Sequence, residues 1–455
     1  MRYGMDMTVG QALKEEGSRK LIETYLPGLA ARVCGQNMAM ELSIRKLLSY
    51  QKESCDAEQI RGLELELERL NELHSGLTEE EAGKIAAYLK IAEQYKTAKE
   101  TGTENRKRYD AIRPGAEWLD TMGHPIQAHG GALFYEDGTW YWYGENKEHT
   151  DGVCDIWTWG IRAYASTDLY NWRDLGLIIE PDVTDPDSPL FPEKRLDRPH
   201  IIKCAATGTY VCWIKLSGTD ACFVILQADA FCGPYRLVRK AYRPFGFEAG
   251  DFDITTDEEG RAYLFMDGSH SGIYGIRLSE DALTAERIVS RQYENLHAPF
   301  CREGVAVFSH GGKKYMLTSG MTGYLPNQSD LAVADGWEET FVSIGNPHEA
   351  DETDASFNSQ ISFVYEMPGE DRYIALADRW VPDDPVDRQR ADLIRRAVAS
   401  RYEPDRYPVT EEEREIFRQA PMLKNAATSR AGYVWLPVLT DGGRVRIEWK
   451  DFWRV

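Results

Sequence analysis

The chain has 455 residues, 42% hydrophobic and 28% charged, the proportions of a soluble globular protein with room for two or three domains. A formal net charge of −21 argues against nucleic acid or an anionic membrane surface as a partner. No stretch approaches the ~20 apolar residues of a membrane span, and Met1–Glu15 lacks a basic start followed by an apolar run, so no signal peptide is expected; with the cysteines read as free thiols, the expected setting is the reducing cytoplasm.

From Met7 to about Lys107 the pattern is helical. Thr8 is placed to cap a first helix, whose apolar residues recur through Leu13, Leu21, Ile22 and Tyr25 until Pro27-Gly28 interrupts it. Leu63, Leu65, Leu67, Leu70 and Leu73, set among glutamates and arginines, predict a second amphipathic helix. Glu79-Glu80-Glu81 opens a third through Ile85, Ala86, Tyr88 and Leu89. Residues 1–110 thus read as a helical accessory domain and linker. It carries no motif with chemistry, so it is a candidate for docking, for a lid, or for assembly of a homo-oligomer.

After Arg113-Pro114-Gly115 the texture changes to short strands and tight turns, the expected second domain being 111–455. Ala132–Tyr135 and Thr139–Tyr143 flank Glu136-Asp137-Gly138 as a hairpin. The unit returns around Thr207-Gly208, Glu259-Gly260, Gly311-Gly312 and Pro368-Gly369. Its tyrosines (Tyr141, Tyr210, Tyr263, Tyr315, Tyr373) are spaced by roughly 50–70 residues, about one four-stranded blade with its loops. A charged, helical segment at about 383–430 interrupts the last unit, and Asp378-Arg379-Trp380 and Tyr433–Pro437 read as outer strands of that blade. The expected architecture is an all-β, five-bladed β-propeller preceded by a small all-α domain, with the insertion either a solvated excursion or a lid over the mouth.

About a dozen positions before each tyrosine stands one polar residue: Gln127, Asp197, Asp251, Glu303 and Gln360. In a propeller the first strand of each blade lines the axis, so groups at one phase converge on one mouth. Glu303 and Asp251 are the strongest chemical candidates. Glycoside hydrolysis needs a carboxylic acid to protonate the leaving oxygen and a second group to handle water, about 6.5–9.5 Å away in an inverting enzyme. A further carboxylate beside the acid would keep it protonated near neutral pH. The same acids could instead cap turns at strand starts. Trp157, Trp159 and Tyr324 are candidate platforms for a sugar face, or packing between blades. The eight cysteines (Cys34, Cys55, Cys154, Cys204, Cys212, Cys222, Cys232, Cys301) show no CxxC pair, and the expectation is buried free thiols. His129 and His310 are the histidines that could face the axis; no metal and no cofactor is expected.

Trp118–Gly123 with Ile126–Gly131 resembles the opening of glycoside hydrolase family 43, and within it the exo-β-1,3-galactanase subfamily. Trp142-Tyr143-Gly144-Glu145, Asp197-Arg198-Pro199, Ser319–Asn327, Asn358-Ser359-Gln360, Asp378-Arg379-Trp380 and Trp435-Leu436-Pro437 are similar to that subfamily in the same order, from about Ile112 to Val455. The resemblance implies an inverting, exo-acting glycosidase that hydrolyses O-glycosyl bonds of a β-galactosidic oligosaccharide. It makes Glu303 the general acid and Asp251 the carboxylate that tunes and orients it. The family's usual aspartate base is missing from the first blade, where Gln127 and His129 stand as substrate-binding candidates, and Gln360 is implied to position water, as an imidic tautomer in one version. Glu145 and Asp197 are implied sugar-hydroxyl ligands and alternative bases; Tyr324 and Asn327 lie in a matched substrate-binding motif. The chain departs from the subfamily at Asp197 (usually Glu), His200 (Lys), Gly250 (Arg) and Val305 (Pro). These changes leave open an α-L-arabinofuranosidase or β-xylosidase of the same fold, and a propeller that binds glycans without cleaving them. His297-Ala298-Pro299 falls too early for the blade phase and reads as loop.

Overall fold

Thr8 caps helix α1 (Val9–Lys14): its hydroxyl accepts from Gln11 N at 3.2 Å, and Gln11 Oε1 accepts from Thr8 N at 3.0 Å. This reciprocal box satisfies two amides that a helix start leaves without partners. Helices α2 (Glu16–Tyr25), α3 (Asn37–Glu41), α4 (Ile44–Tyr50), α5 (Ala57–Leu73) and α6 (Glu79–Ala98) follow. Gly28, at φ +82°, follows the end of α2. A core of Val9, Ile22, Leu29, Ile44, Leu63 and Leu67 holds α1, α2, α4 and α5 together. Gly62 lies so close to Tyr25 that a Cβ would stand 2.5 Å from its ring, so glycine sets the α2–α5 approach. The computed structural model describes residues 3–29, 33, 37–50, 56–73, 78–98, 107–268, 270–419 and 427–455. It divides into one unit of Met1–Lys96 with Val183–Asp187 and Ser217–Ala221, and a second of Thr97–Asp182, Ser188–Leu216 and Cys222–Val455.

The second unit is a five-bladed β-propeller. Blade I comprises β1 (His129–Glu136), β2 (Thr139–Glu145), β3 (Ile161–Ser166) and β4 (Arg173–Ile179). Blade II runs from β5 (Leu196–Lys203) through β6 (Tyr210–Leu216) and β7 (Cys222–Ala228) to β8 (Arg236–Tyr242). Blade III holds β9 (Phe252–Thr256), β10 (Ala262–Asp267), β11 (Ile273–Leu278) and β12 (Ala285–Gln292). Blade IV is β13 (Arg302–His310), β14 (Lys313–Gly320), β15 (Ser329–Ala334) and β16 (Val342–Gly345). Blade V orders β18 (Gln360–Glu366), β19 (Tyr373–Arg379), β20 (Gly432–Asp441) and β21 (Arg444–Glu448), with the two-residue β17 (His348–Glu349) parallel to β21. Each blade is an antiparallel meander, and the five hairpins read from the sequence are its inner strand pairs; in blade I, Phe134 faces Tyr141 across the Asp137-Gly138 turn. Asp378 and Arg379 differ from expectation: they end β19, the second strand, instead of forming an outer one.

The inner strands β1, β5, β9, β13 and β18 neighbour one another around the axis, and a separate apolar core fills each seam between blades. The seam between blades V and I closes the ring. There Trp142, buried, packs against Trp118 at 5.3 Å, Trp172 at 5.4 Å, Tyr433 at 4.5 Å and Trp435 at 4.4 Å between centroids. The two flanks of the domain also meet there, Ile112 N donating to Trp453 O at 2.9 Å and Trp453 N to Ile112 O at 3.0 Å.

The segment between β19 and β20 carries α7 (Arg388–Ala399) and α8 (Glu411–Arg418), capped by Asp387 and Thr410. Cys204, Cys212, Cys222 and Cys301 are buried free thiols, whereas Cys154 and Cys232 are exposed; Cys34 and Cys55 lie outside the described residues. Among the described residues, no helix is long and apolar enough to cross a membrane.

Candidate active site

A repeated backbone device brings the polar phase to one mouth. The inner strands β1, β5, β13 and β18 each break register within their first few residues, between His129 and Ala132, Asp197 and His200, Glu303 and Ala306, and Ile361 and Phe363. A bulge bends its strand and re-aims the residue beside it. Three of the bulges contain a left-handed residue: Gly130 at φ +57°, Arg198 at +51° and Gly304 at +60°. A Cβ on Gly130 would lie 2.4 Å from Glu145 Oε1, so only glycine fits under that carboxylate.

Arg198 is the hub. Its Nε meets Asp251 Oδ2 at 2.8 Å, Nη2 donates to Gln360 Oε1 at 2.8 Å, Nη1 donates to Ile361 O at 3.1 Å, and its backbone N–H donates to Glu145 Oε1 at 2.8 Å. A non-glycine residue at positive φ costs of order 1–3 kcal/mol; here four contacts to three other blades offset it. Asp251 takes a second cation, Lys215 Nζ at 2.6 Å, and the backbone N–H of Gly304 at 3.0 Å. Burial opposes its ionisation, but Arg198 and Lys215 prevail and hold Asp251 well below the usual carboxylate range. Glu303 has the opposite fate. Burial, then the adjacent Asp251 charge, push it up to about 8, against the pull of Lys215, His270 and Arg198. Two neighbouring carboxyls are thereby separated into a permanent anion and a group protonated at pH 7.

Gln360 bridges the hub to Glu303. Its Oε1 accepts from two groups that can only donate, Arg198 Nη2 at 2.8 Å and Trp380 Nε1 at 3.0 Å, which fixes the amide orientation. Its Nε2 therefore faces and donates to Glu303 Oε1 at 3.1 Å, leaving Oε2 as the oxygen free to carry the proton.

On the other side of Arg198, Lys147 Nζ sits fully buried, 2.8 Å from Glu145 Oε2 and 3.7 Å from Asp197 Oδ1, and donates to Trp157 O at 2.9 Å. Burial raises Glu145 to about 7, Lys147 opposing and Asp197 reinforcing the rise. Asp197 Oδ1 also accepts from Trp157 Nε1 at 2.6 Å. Trp157 lies beside Lys147 and Arg195, at 4.6 and 4.9 Å from its ring, and Tyr324 continues an aromatic wall to Trp380, with centroids 6.3 and 5.2 Å apart.

The structure thus gathers Asp251, Glu303, Gln360, Glu145, Asp197, Trp157 and Tyr324. It places other candidates as braces. Gln127 is buried, its side-chain amide donating to Ser429 O at 3.2 Å and its backbone N–H to Tyr164 Oη at 2.9 Å. His129 is buried between Asp378 (3.1 Å) and Tyr433, on which it stacks at 4.8 Å; Asp378 also accepts from Gly130 N at 3.0 Å, tying β1 to blade V. Asn327 is buried and donates to Pro299 O at 3.4 Å, and Trp159 is buried in the blade I loop against His149. His310 pairs with Asp371 at 2.9 Å at the far end of β13, away from the bulged ends that form the mouth. Among the described residues no cluster of three or more His, Cys, Asp or Glu could hold a metal. At Gly250 the space for a side chain is taken: a Cβ would lie 2.3 Å from Asp267 Oδ2.

Sequence reasoning passed over Lys147 and Lys215, and treated Arg198 and Trp380 only as parts of motifs. A lysine within the apolar run Tyr210–Leu216, and another two residues beyond Glu145, were the available signals: a buried ammonium needs carboxylates beside it.

The model of the family "Glycosyl hydrolases family 43" matches residues 132–349, from β1 to β17. A solved GH43 β-1,3-galactosidase is similar at 25% identity and TM-score 0.60, over 76% of this chain and 64% of that one. Blades I to IV are those of a family 43 glycoside hydrolase. A second GH43 β-1,3-galactosidase, solved with galactodeoxynojirimycin, shares 23% identity at TM-score 0.60, over 76% of this chain and all of that one. The exo-β-1,3-galactanase of Phanerochaete chrysosporium, solved with β-1,3-galactotriose, shares 22% identity at TM-score 0.59, over 76% of this chain and 68% of that one. The chain spans less than two thirds of the first of these structures. No curated protein matches it. Strands β18 to β21 of blade V lie beyond the matched family 43 residues, yet that blade supplies Gln360, Asp378 and Trp380 to the mouth.

Proposed function

We propose that this family 43 domain hydrolyses a β-galactosidic bond from the non-reducing end of an oligosaccharide, with inversion at the anomeric carbon. The observation that carries the reading is the Asp251–Glu303 pair: one carboxyl pinned as an anion by Arg198 and Lys215, the other raised to about 8 beside it. Glu303 donates the proton on Oε2 to the glycosidic oxygen as the bond to the anomeric carbon breaks. Gln360 is a positioning residue in this scheme. Both acceptor sites of its carbonyl oxygen are used by Arg198 and Trp380, so it holds Glu303 and is not the proton acceptor. The imidic form would put a hydroxyl against those two donors, and the hydrogen bonds favour the ordinary amide.

Glu145 is the base that fits the chemistry. Its pKa of about 7 lets it ionise near neutrality and take a proton from water, while Asp197, braced by Trp157 and Lys147, grips a glycone hydroxyl. β-Galactose as glycone is supported by the likeness to the solved β-1,3-galactosidases and exo-β-1,3-galactanase. A second reading, α-L-arabinofuranosidase or β-xylosidase, is favoured by Gly250, where Asp267 fills the space of a longer side chain. Nitrophenyl glycosides tested beside β-1,3-galactobiose separate the two. Glu303→Gln is expected to lose about 10²–10⁴-fold in turnover of galactobiose while galactose still binds by calorimetry. Undiminished turnover in that variant overturns the assignment.

A further inference from the structure

In an antiparallel meander the connections from second to third strand, and from each blade to the next, lie at the same end. The bulged starts of the inner strands mark that end as the mouth. The 380–431 segment joins β19 to β20, so it emerges there. It is fastened to three other mouth-side loops. Val386 N donates to Asn358 Oδ1 at 2.7 Å, and Arg395 meets Asp354 Oδ2 at 3.2 Å and donates to Asp354 O at 2.8 Å. Ile394, Ala397 and Phe417 share an apolar core with Leu325 and Ala355. The third attachment is to the loop that leads into Glu303: His297 Nε2 lies 2.9 Å from Glu403 Oε1, and its ring stacks on Tyr402 at 4.7 Å and 15°.

These contacts assemble an aromatic surface that nothing in the proposed chemistry uses. Phe300 packs against His297 at 5.7 Å and Tyr407 at 5.6 Å, while Phe300 is 37% and Tyr402 54% exposed. Its edge is polar, Arg406 pairing with Glu403 at 3.1 Å and lying over Tyr407 at 5.2 Å. Exposed aromatic faces beside fixed polar groups suit a sugar ring, which presents apolar C–H faces and equatorial hydroxyls. Phe300 stands three residues before Glu303, so their Cα atoms are at most about 11 Å apart, and the loop is braced just before Phe300 by Met321 N donating to Pro299 O at 3.0 Å.

We propose that the insertion and the acid loop together form a leaving-group subsite, a shelf of His297, Phe300, Tyr402 and Tyr407 that stacks a pyranose on the aglycone side of the scissile bond. The inference rests on the glycosidase reading, with Glu303 as acid, because the proton donor marks the side on which the leaving group sits. The shelf selects a glycosyl leaving group over a small alcohol, and it makes the insertion a specificity element.

The test uses the full chain and two substrates with one glycone: β-1,3-galactobiose, whose leaving group reaches the shelf, and methyl β-D-galactopyranoside, whose leaving group does not. For Tyr402→Ala and Phe300→Ala, the ratio of kcat/KM for galactobiose over the methyl glycoside is expected to fall roughly 2- to 10-fold, the usual range for an aromatic contact. The loss falls mainly in KM, and Tyr402→Trp restores the ratio. Thermal midpoints close to that of the parent exclude unfolding as the cause. An unchanged ratio in both alanine variants, or equal losses on the two substrates, overturns the shelf while leaving the glycosidase reading intact. Absence of turnover of every glycoside by the parent protein overturns that reading and the shelf with it.

Discussion

Asp251→Asn removes one negative charge beside Glu303 and leaves the shape of the site in place. Glu303 donates a proton, so it must be protonated, and kcat/KM should fall as pH rises through its pKa of about 8. Burial keeps part of the elevation in the variant, but the repulsion from Asp251 vanishes. Arg198 and Lys215, which now lie 2.8 and 2.6 Å from Asp251, lose their anion and draw Glu303 toward its charged form. Charges at this range move a carboxyl by about 1–3 pH units, so the alkaline limb should drop by about two. At pH 7 the protonated fraction then goes from about nine-tenths to about one-tenth, a roughly tenfold loss. The assay is the pH profile of kcat/KM for β-1,3-galactobiose, run beside 2,4-dinitrophenyl β-galactoside, whose leaving group needs no proton and should escape the tenfold factor. An alkaline limb that stays near 8 in Asp251→Asn would refute the electrostatic account of the acid.

Two further outcomes follow from the geometry. Lys147→Met removes the ammonium 2.8 Å from Glu145, so burial and Asp197 should push Glu145 above about 7; a base must be ionised, so the acidic limb of the profile should move up, and an unmoved limb would show that Glu145 is not the base. Trp142→Ala empties the centre of the cluster that closes the propeller between blades V and I and should cost about 3–5 kcal/mol, read as a loss of roughly ten degrees in Tm; a shift of a degree or two would mean the seam is held elsewhere.

Much of the propeller was legible because each inner hairpin repeats a turn and a polar phase, and those are local properties. The phase located Asp197, Asp251, Glu303 and Gln360 at the mouth. At Gln127 it marked a residue two positions before β1 whose side-chain amide donates to Ser429 O. What the sequence could not convey was the partnership between blades. Arg198 joins Asp251 and Gln360 from two other blades, and neither partner is near it in the chain. The insertion was readable as charged and helical, but its attachment to the acid loop through His297 and Glu403 spans 106 residues. His297-Ala298-Pro299 did prove to be loop, and its importance comes from what packs on it.

The most direct measurement is the anomeric configuration of the first product. Proton NMR spectra recorded during early turnover of β-1,3-galactobiose should show α-galactose appearing first and mutarotating afterwards, as required when Glu303 protonates the leaving oxygen and a water activated by Glu145 attacks from the opposite face. Initial release of β-galactose would contradict the single-displacement account.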